Sequence, residues 1–229
     1  MKLVIFDIDG TLIYSNKMDS RSFAETYKKL YAKSIDIDWH NYPAVTDHTI
    51  FVTSFLSHSC SAPSRWEFDR FQDHYVELME QKRKETPQKF REIPAARDTV
   101  HRLLADEKVV VAIATGGWER PARVKLNHVG ITTEEMLMSF GDRKPTREDI
   151  IEEVIEKAKK KHGDFEKIVY VGDAVWDVYA TRNLKMDFVG IGFRGDGQKL
   201  KEAGAKTIIE DYSDYELFLE ALEKANPPE

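Results

Sequence analysis

The chain has 229 residues, of which 41% are hydrophobic and 32% charged, as is ordinary for a globular protein large enough to bury a core. Its 34 basic and 40 acidic residues give a net charge of −6, which disfavours a nucleic acid as the main partner. The single cysteine, Cys60, excludes an intrachain disulfide and disfavours a thiolate zinc site.

The first predicted element is a strand over Leu3–Ile8, which is rich in apolar and β-branched residues. Its apolar run is too short for the core of a signal peptide, and no segment is long enough to span a bilayer. We therefore expect a cytoplasmic protein with no membrane partner. Two acids, Asp7 and Asp9, stand at the end of this strand beside Gly10. Two carboxylates that face one crevice repel each other, and each resists desolvation. A hard metal ion, a shared proton or both are therefore expected there.

A helical block interrupts the chain after the first strand. It has no convincing strand, many aromatic residues and three helix-like segments, namely Lys17–Lys33, Thr46–Ser57 and Ser64–Lys84. We expect residues 15–88 to form an all-helical cap inserted into a core made of residues 1–14 and 89–229. The joining loops are expected near Tyr14–Lys17 and Thr86–Pro94. Most of the aromatic residues are expected to form the interior of this small bundle.

The rest of the chain alternates strand-like and helix-like segments. The predicted strands are Val109–Ala114, Ile168–Val171 and Phe188–Ile191, with weaker ones at Met136–Phe140 and Thr207–Ile209. The predicted helices are Trp118–His128, Thr146–Lys161, Val175–Asn183 and Tyr215–Ala225. Near-continuous apolar strands that alternate with helices predict an α/β protein, with a Rossmann-like parallel sheet and helices on both faces.

The carboxyl ends of three predicted strands carry polar residues suited to one task. In chain order these residues are Asp7 and Asp9, then Thr115 and Gly116, then Asp173. Ligands of open parallel sheets bind beyond the carboxyl ends of the strands, so these residues are expected to converge.

Two more residues are expected near the same crevice. Lys144 lies in a loop-like stretch before a helix, and Asp177 lies one helical turn after Asp173. An oxygen-rich set of three aspartates favours Mg²⁺ over zinc. A threonine hydroxyl, a glycine amide and a lysine ammonium are suited to holding a phosphoryl group. One carboxylate can attack phosphorus while a second serves as general acid and then as general base.

The ordered set of motifs resembles the haloacid dehalogenase superfamily of aspartate-nucleophile phosphohydrolases, in the subgroup with a helical cap after the first strand. The matching motifs are Asp7-Ile8-Asp9-Gly10-Thr11-Leu12, Thr115-Gly116, Lys144-Pro145 and Gly172-Asp173-Ala174-Val175-Trp176-Asp177. The stretch Leu200–Ala205 is similar to the corresponding part of phosphoglycolate-phosphatase-like members, and the whole chain also resembles β-phosphoglucomutase-like members.

The resemblance implies that Asp7 is the nucleophile, which forms an aspartyl-phosphate and also ligates Mg²⁺. It implies that Asp9 protonates the leaving alcohol and then activates water, with its backbone carbonyl on the metal. Halide-displacing relatives lack the second acid, because a halide needs no proton to leave. Dehalogenase activity is therefore not expected.

The resemblance also assigns roles to the residues that follow the later strands. Asp173 would be a metal ligand, and Asp177 would be a ligand through water or would orient Lys144. Thr115 and the amide of Gly116 would hold the phosphoryl oxygens. Lys144 would offset the negative charge of the nucleophile and of the phosphate.

The function expected from this resemblance is that of a Mg²⁺-dependent phosphatase acting on a small phosphorylated metabolite. A phosphosugar mutase of the same fold is the alternative within this chemistry, and a non-catalytic phospho-accepting signalling module is the alternative outside it. In the helical block, Asp47 and His48 are candidates for substrate contact, although Asp47 also suits the first turn of a helix. A glycine pattern at Gly190–Gly195 matches a dinucleotide-binding motif, but a turn after a late strand explains it.

Overall fold

The computed structural model describes residues 1–15, 17–131, 133–134 and 136–229. Asn16, which falls at the expected start of the helical cap, lies outside the described residues. The strands are β1 (Lys2–Phe6), β2 (Ile13–Tyr14), β3 (Arg91–Glu92), β4 (Val109–Thr115), β5 (Leu137–Phe140), β6 (Lys167–Gly172), β7 (Asp187–Ile191) and β8 (Ile208–Ile209). The helices are α1 (Met18–Tyr31), α2 (Asp47–Leu56), α3 (Arg65–Glu85), α4 (Ala96–Leu104), α5 (Glu119–Val129), α6 (Arg147–His162), α7 (Val175–Asn183), α8 (Gly197–Glu202) and α9 (Tyr215–Lys224).

Six strands form one parallel sheet in the order β5-β4-β1-β6-β7-β8. The chain builds the sheet outward from β1 first in one direction, through β4 and β5, and then in the other, through β6, β7 and β8. A crevice opens at the carboxyl ends of the strands where the order of an open sheet reverses in this way. The topology therefore predicts a ligand site beyond the end of β1.

Strand β1 is buried on both faces of the sheet. Leu3 and Ile5 belong to one apolar cluster, whereas Val4 and Phe6 belong to another, because successive side chains of a strand point to opposite faces. Residues of α4, α5 and α9 complete the cluster that contains Phe6, and residues of α6, α7 and α8 complete the one that contains Ile5. This arrangement confirms the predicted α/β fold, with a parallel sheet and helices on both faces.

Helices α1, α2 and α3 have an apolar cluster of their own, in which aromatic side chains predominate. Phe23, Phe51, Phe71 and Tyr75 are all essentially inaccessible to solvent. Trp118, which immediately precedes α5, is also buried in this cluster, so the interior of the helical segment extends onto the sheet-bearing part of the chain. Trp66, another of the aromatic residues of this segment, is 64% exposed and lies on the surface.

Two short strands that the sequence did not predict pair where the helical segment leaves and rejoins the sheet-bearing part. Strands β2 and β3 are antiparallel, with Ile13 opposite Glu92 and Tyr14 opposite Arg91. Each has two residues, which is too short for a periodic pattern to reveal. Within the described ranges, no helix is both long and apolar enough to cross a membrane.

Candidate active site

The turn after β1 presents the first two acids. The carbonyl oxygen of Ile8 accepts hydrogen bonds from the amides of Thr11, Leu12 and Ile13, and this closes the turn tightly around Gly10. Gly10 has a φ of +83°, and a Cβ atom there would lie 1.8 Å from Oδ2 of Asp173. Only glycine satisfies both conditions, since other residues avoid this backbone region and carry a Cβ. The glycine of the motif thus permits the end of β1 to approach the acid that follows β6.

Three aspartates form a buried cluster at the carboxyl ends of β1 and β6. Carboxylate oxygens of Asp7, Asp173 and Asp177 all lie within 4.8 Å of one another. Burial, followed by repulsion from Asp177 and Asp7, raises the pKa of Asp173 well above its usual range. Oδ1 of Asp7 is buried and accepts no hydrogen bond from the described residues. This orphaned oxygen and the donor set of oxygen atoms fit a hard divalent cation, which would relieve the repulsion.

Among the described residues, Arg147, the first residue of α6, is the cation that forms an ion pair with Asp7. Its Nη1 atom lies 2.7 Å from Oδ1 of Asp177 and 3.4 Å from Oδ2 of Asp7. Its Nε atom donates to the carbonyl oxygen of Val45 at 3.3 Å. Helix α6 begins at this residue because Thr146 caps it, with the Thr146 side chain accepting from the amide of Asp149. Arg147 was not predicted from the sequence, although its position two residues after the motif Lys144-Pro145 could have indicated it.

The structure places Lys144 away from the position predicted for it. Its ammonium group pairs with Glu153 of α6 and donates to the carbonyl oxygen of Phe140 at 3.4 Å. Burial alone would raise the pKa of Glu153, but hydrogen bonds from Lys144, Lys157 and Ser139 lower it to about 2. Among the described residues no ion pair joins Lys144 to Asp7, so the expectation that Lys144 offsets the charge of Asp7 needs correction. The physical reason is that Lys144 lies just before Thr146, the N-cap residue of α6, and its ammonium group forms an ion pair with Glu153 of that helix.

A second buried cation, Lys125 of α5, contacts Asp9. Its Nζ atom lies 2.5 Å from Oδ2 of Asp9 and 3.1 Å from Oδ1 of Asp19, and its side chain is only 2% exposed. The hydroxyl of Tyr75 donates to the same oxygen of Asp19 at 2.7 Å. Burial raises the pKa of Asp9 to about 7, against the opposing effect of Lys125 and with a further increase from Asp19.

Helix α2 is joined to the loop after β4 through Asp47. The amide of Asp47 donates to the carbonyl oxygen of Gly116 at 2.8 Å, and its Oδ2 atom accepts from the amide of Trp118 at 2.9 Å. Oγ1 of Thr115 accepts from the amide of Gly117 at 3.3 Å. A Cβ atom at Gly116 would lie 2.6 Å from the carbonyl oxygen of Val45, so this position also requires glycine for close approach.

These groups surround a cavity of about 80 Å³, which we call the aspartate cavity. Of the residues that the structure describes, those lining it include Asp7, Asp9, Asp19, Asp47, Thr115, Gly116, Arg147 and Trp176. Asp47, one of the two candidates for substrate contact, thus lies in the lining of the cavity. His48 is not part of this lining, and its ring stacks on that of Phe68 with centroids 5.1 Å apart.

The fold and the site together define a Rossmann-like α/β protein with an acidic crevice beside its first strand. The family model described as haloacid dehalogenase-like hydrolase matches residues 4–191. The chain belongs to this family, in agreement with the resemblance of its motifs.

Individual relatives support this assignment. A curated phosphoglycolate phosphatase from Agrobacterium fabrum is 25% identical over 146 residues, which are 64% of this chain and 59% of that protein. The chain therefore spans less than two thirds of the length of this curated relative. A hydrolase from Pseudomonas syringae has a similar structure with a TM-score of 0.72, 20% identity and coverage of 96% of this chain and 98% of that chain. CbbY from Rhodobacter sphaeroides in complex with phosphate gives a TM-score of 0.71, 17% identity and the same coverage.

Proposed function

We propose that the protein is a Mg²⁺-dependent phosphatase that hydrolyses a small phosphomonoester through an aspartyl-phosphate formed on Asp7. The observation that supports this most directly is the state of Asp7. Its side chain is 2% exposed, its Oδ1 atom accepts no hydrogen bond from the described residues, and it lines a cavity together with Asp9 and Thr115. A buried carboxylate with a free oxygen beside a possible proton donor suits nucleophilic catalysis.

In the first half-reaction an oxygen of Asp7 attacks phosphorus and the bond between phosphorus and the alcohol oxygen breaks. Asp9 gives its proton to the departing oxygen. In the second half-reaction water attacks the phosphorus of the aspartyl-phosphate, Asp9 takes a proton from that water, and inorganic phosphate leaves with Asp7 restored. A pKa of about 7, raised by burial, suits Asp9 to both steps at neutral pH.

Three groups of the protein would supply positive charge or hydrogen-bond donors to the phosphoryl group. We propose that Thr115 and the amide of Gly116 hold phosphoryl oxygens and that Arg147 offsets the negative charge of Asp7 and of the phosphate. The role predicted for Lys144 passes in this proposal to Arg147, because Arg147 is the cation that contacts Asp7. Preorganised charges of this kind act most strongly in a site from which water is excluded.

The residues that would hold Mg²⁺ are Asp7, Asp173 and the backbone carbonyl of Asp9. Asp177 would act through water, or it would orient Arg147, whose Nη1 atom lies 2.7 Å from it. When bound, the ion would supply positive charge that neutralises the phosphate and the surrounding acids.

We further propose that residues 15–88 form a cap domain over a core of residues 1–14 and 89–229. The separate apolar cluster of α1, α2 and α3 and the β2–β3 pair at both chain crossings support this division. The helical segment lines part of the aspartate cavity through Asp19 and Asp47. Closure of such a cap over a substrate would exclude bulk water and select the leaving group.

The test is hydrolysis of a panel of phosphate esters with Mg²⁺ and with a chelator, on the wild type and on Asp7→Asn. We expect release of inorganic phosphate that requires Mg²⁺ and is lost in Asp7→Asn. Asp73→Asn is a matched control, because Asp73 is an exposed acid that pairs with Arg120. Turnover without a metal, or full activity of Asp7→Asn, would refute the proposal. A phosphosugar isomer as the product in place of free phosphate would indicate a mutase.

A further inference from the structure

Two acids of the helical segment form part of the wall of the aspartate cavity. Asp19 belongs to α1 and Asp47 is the first residue of α2, and both line the cavity that Asp7 and Asp9 also line. In the proposed reaction the phosphoryl group lies against Asp7, on the side of the sheet. Asp19 and Asp47, on the side of the cap, are then positioned to face the leaving alcohol.

Each of these two acids has an oxygen available to a ligand. Asp47 uses Oδ2 to accept the amide of Trp118, and Asp19 uses Oδ1 to accept from both Tyr75 and Lys125. The other oxygen of each carboxylate accepts no hydrogen bond from the described part of the chain. This side of the cavity therefore offers hydrogen-bond acceptors.

The cations near the cavity are already paired with acids. Lys125 contacts Asp9 and Asp19, and Arg147 contacts Asp177 and Asp7. Arg147 is the only cationic side chain that lines the cavity within the described residues. A carboxylate on the leaving alcohol would therefore find acidic neighbours and, in the described part of the chain, no unpaired cation in the cavity lining.

The environment of Asp47 disfavours a negative charge at this wall. Burial raises its pKa to about 8, and repulsion from Asp19 contributes further, against the opposing effect of Lys125. A site that resists ionisation of its own carboxyl group also resists the carboxylate of a ligand.

From these contacts, and resting on the proposed phosphatase function, we infer the class of the leaving alcohol. It carries hydroxyl or ammonium groups that donate hydrogen bonds to Asp19 and Asp47, and it carries no carboxylate. Phosphoglycolate, which the name of the curated relative gives as the substrate of that protein, has a carboxylate on its alcohol. The acidic wall predicts that this chain discriminates against phosphoglycolate.

The experiment compares four esters in the presence of Mg²⁺. Phosphoglycolate carries a carboxylate, glycerol phosphate carries hydroxyl groups, phosphoethanolamine carries an ammonium group, and p-nitrophenyl phosphate reports the chemistry without these groups. For at least one of the two non-acidic alkyl esters, we expect kcat/KM to exceed that for phosphoglycolate by about tenfold or more, since charge and hydrogen bonding govern discrimination in polar sites. The comparison of glycerol phosphate with phosphoethanolamine shows whether hydroxyl or ammonium donors are preferred.

The Asp47→Asn variant tests whether the acidic wall causes the preference. Asparagine keeps an acceptor for the amide of Trp118 and removes the negative charge that Asp47 carries above its raised pKa of about 8, so the two proteins are compared at pH 9. We expect it to raise kcat/KM for phosphoglycolate and to reduce the preference for the non-acidic ester by about threefold or more, with each kcat/KM expressed relative to that for p-nitrophenyl phosphate in the same protein. Asp73→Asn, which changes an exposed acid of α3, is expected to leave the preference unchanged.

The outcomes separate this inference from the proposed function. If p-nitrophenyl phosphate is hydrolysed but neither non-acidic alkyl ester is preferred over phosphoglycolate, the inference is wrong and the phosphatase function stands. If a non-acidic ester is preferred over phosphoglycolate but Asp47→Asn leaves this preference unchanged, the acidic wall does not cause it and the inference is wrong. Failure to hydrolyse any of the four esters would overturn both.

Discussion

The guanidinium group of Arg147 lies 3.4 Å from the carboxylate of Asp7. This contact places a buried positive charge beside the proposed nucleophile, where the negative charge of a phosphoryl group would also gather. The same guanidinium is held by Asp177, whose own side chain is fully buried and accepts from the amide of Ala174. Asp177 therefore holds Arg147 in place beside Asp7, where negative charge would build up in the proposed reaction.

Replacement of Arg147 by methionine is expected to lower kcat/KM by about 100-fold or more, the usual effect of removing one preorganised charge from a site of this kind. Arg147→Lys should retain part of the activity and tests whether charge alone is sufficient. Steady-state hydrolysis of an ester from the panel measures both. Circular dichroism at the assay temperature establishes that each variant is folded.

Lys144→Met is the matched comparison, since Lys144 lies close in sequence but pairs with Glu153. We expect its kcat/KM to remain within about threefold of the wild type, because its ammonium contacts neither Asp7 nor the other acids of the cluster among the described residues. A loss of activity in Lys144→Met equal to that in Arg147→Met would show that the proposed assignment of the cation is mistaken.

Asp9→Asn is expected to separate esters by the quality of their leaving group. An alkoxide needs a proton to depart, whereas p-nitrophenolate does not, so the loss should be about 100-fold or more for alkyl esters and much smaller for p-nitrophenyl phosphate. The ratio of kcat values for the two esters, in the variant and in the wild type, gives the measurement. An equal loss for both would argue that Asp9 serves the metal or the fold rather than the proton transfer.

Lys125→Met is expected to destabilise the folded protein by about 3–5 kcal/mol, because it leaves Asp9 and Asp19 without the cation that pairs them in the interior. Urea unfolding measures the change in the free energy of unfolding. Lys157, whose side chain is 43% exposed and pairs with Glu153, provides a control in which the loss should be below about 1 kcal/mol. Equal losses at the two positions would mean that the buried ion pair contributes no more than a surface one.

Mg²⁺ is expected to raise the Tm even without substrate, because binding to the native state alone stabilises it, by about 2.7 kcal/mol at a hundredfold excess over Kd. For a chain of this size that corresponds to about 5–10 °C. Asp173→Asn should abolish the increase, since it removes one charge from the cluster of Asp7, Asp173 and Asp177. An unchanged increase in the variant would place the ion elsewhere.

Stability in the presence of a chelator should depend on pH through Asp47, whose pKa is raised to about 8 chiefly by burial. The folded state then binds this proton more tightly than the unfolded state, whose carboxyl has the ordinary value of 3.8. The favourable contribution is complete below pH 4 and is lost as pH rises toward 8.

Asp47→Asn should therefore show little change in Tm relative to the wild type at pH 4 and a Tm higher by about 3 °C or more at pH 9, as ~1 kcal/mol gives in a chain of this size. Differential scanning calorimetry across this range measures the difference between the two proteins. A difference that stays constant with pH would show that Asp47 is ionised in the native state throughout.

Much of the fold could be predicted because its signals are local. The apolar run of β1 and the alternation of strands with helices after residue 89 follow from periodicity within short windows. The pair β2–β3 could not be predicted, because two residues carry no period and their partners are far apart in the chain. Helix α4 was also not predicted from the sequence, although its apolar side packs against the sheet.

In the candidate site, the sequence by itself determined which polar residues come at strand ends. Thr115 is the last residue of β4, and Asp7, Asp9 and Asp173 come within three residues after β1 or β6. Parallel strands bring these ends together. Only the tertiary structure decided which cations face them. Whether Lys144 or Arg147 reaches Asp7 depends on where α6 begins and on the capture of Lys144 by Glu153. The contact of Lys125 with Asp9 joins positions 116 residues apart, and the acids Asp19 and Asp47 reach the same cavity through helix packing. Contacts of this kind depend on distances between elements, which no local pattern encodes.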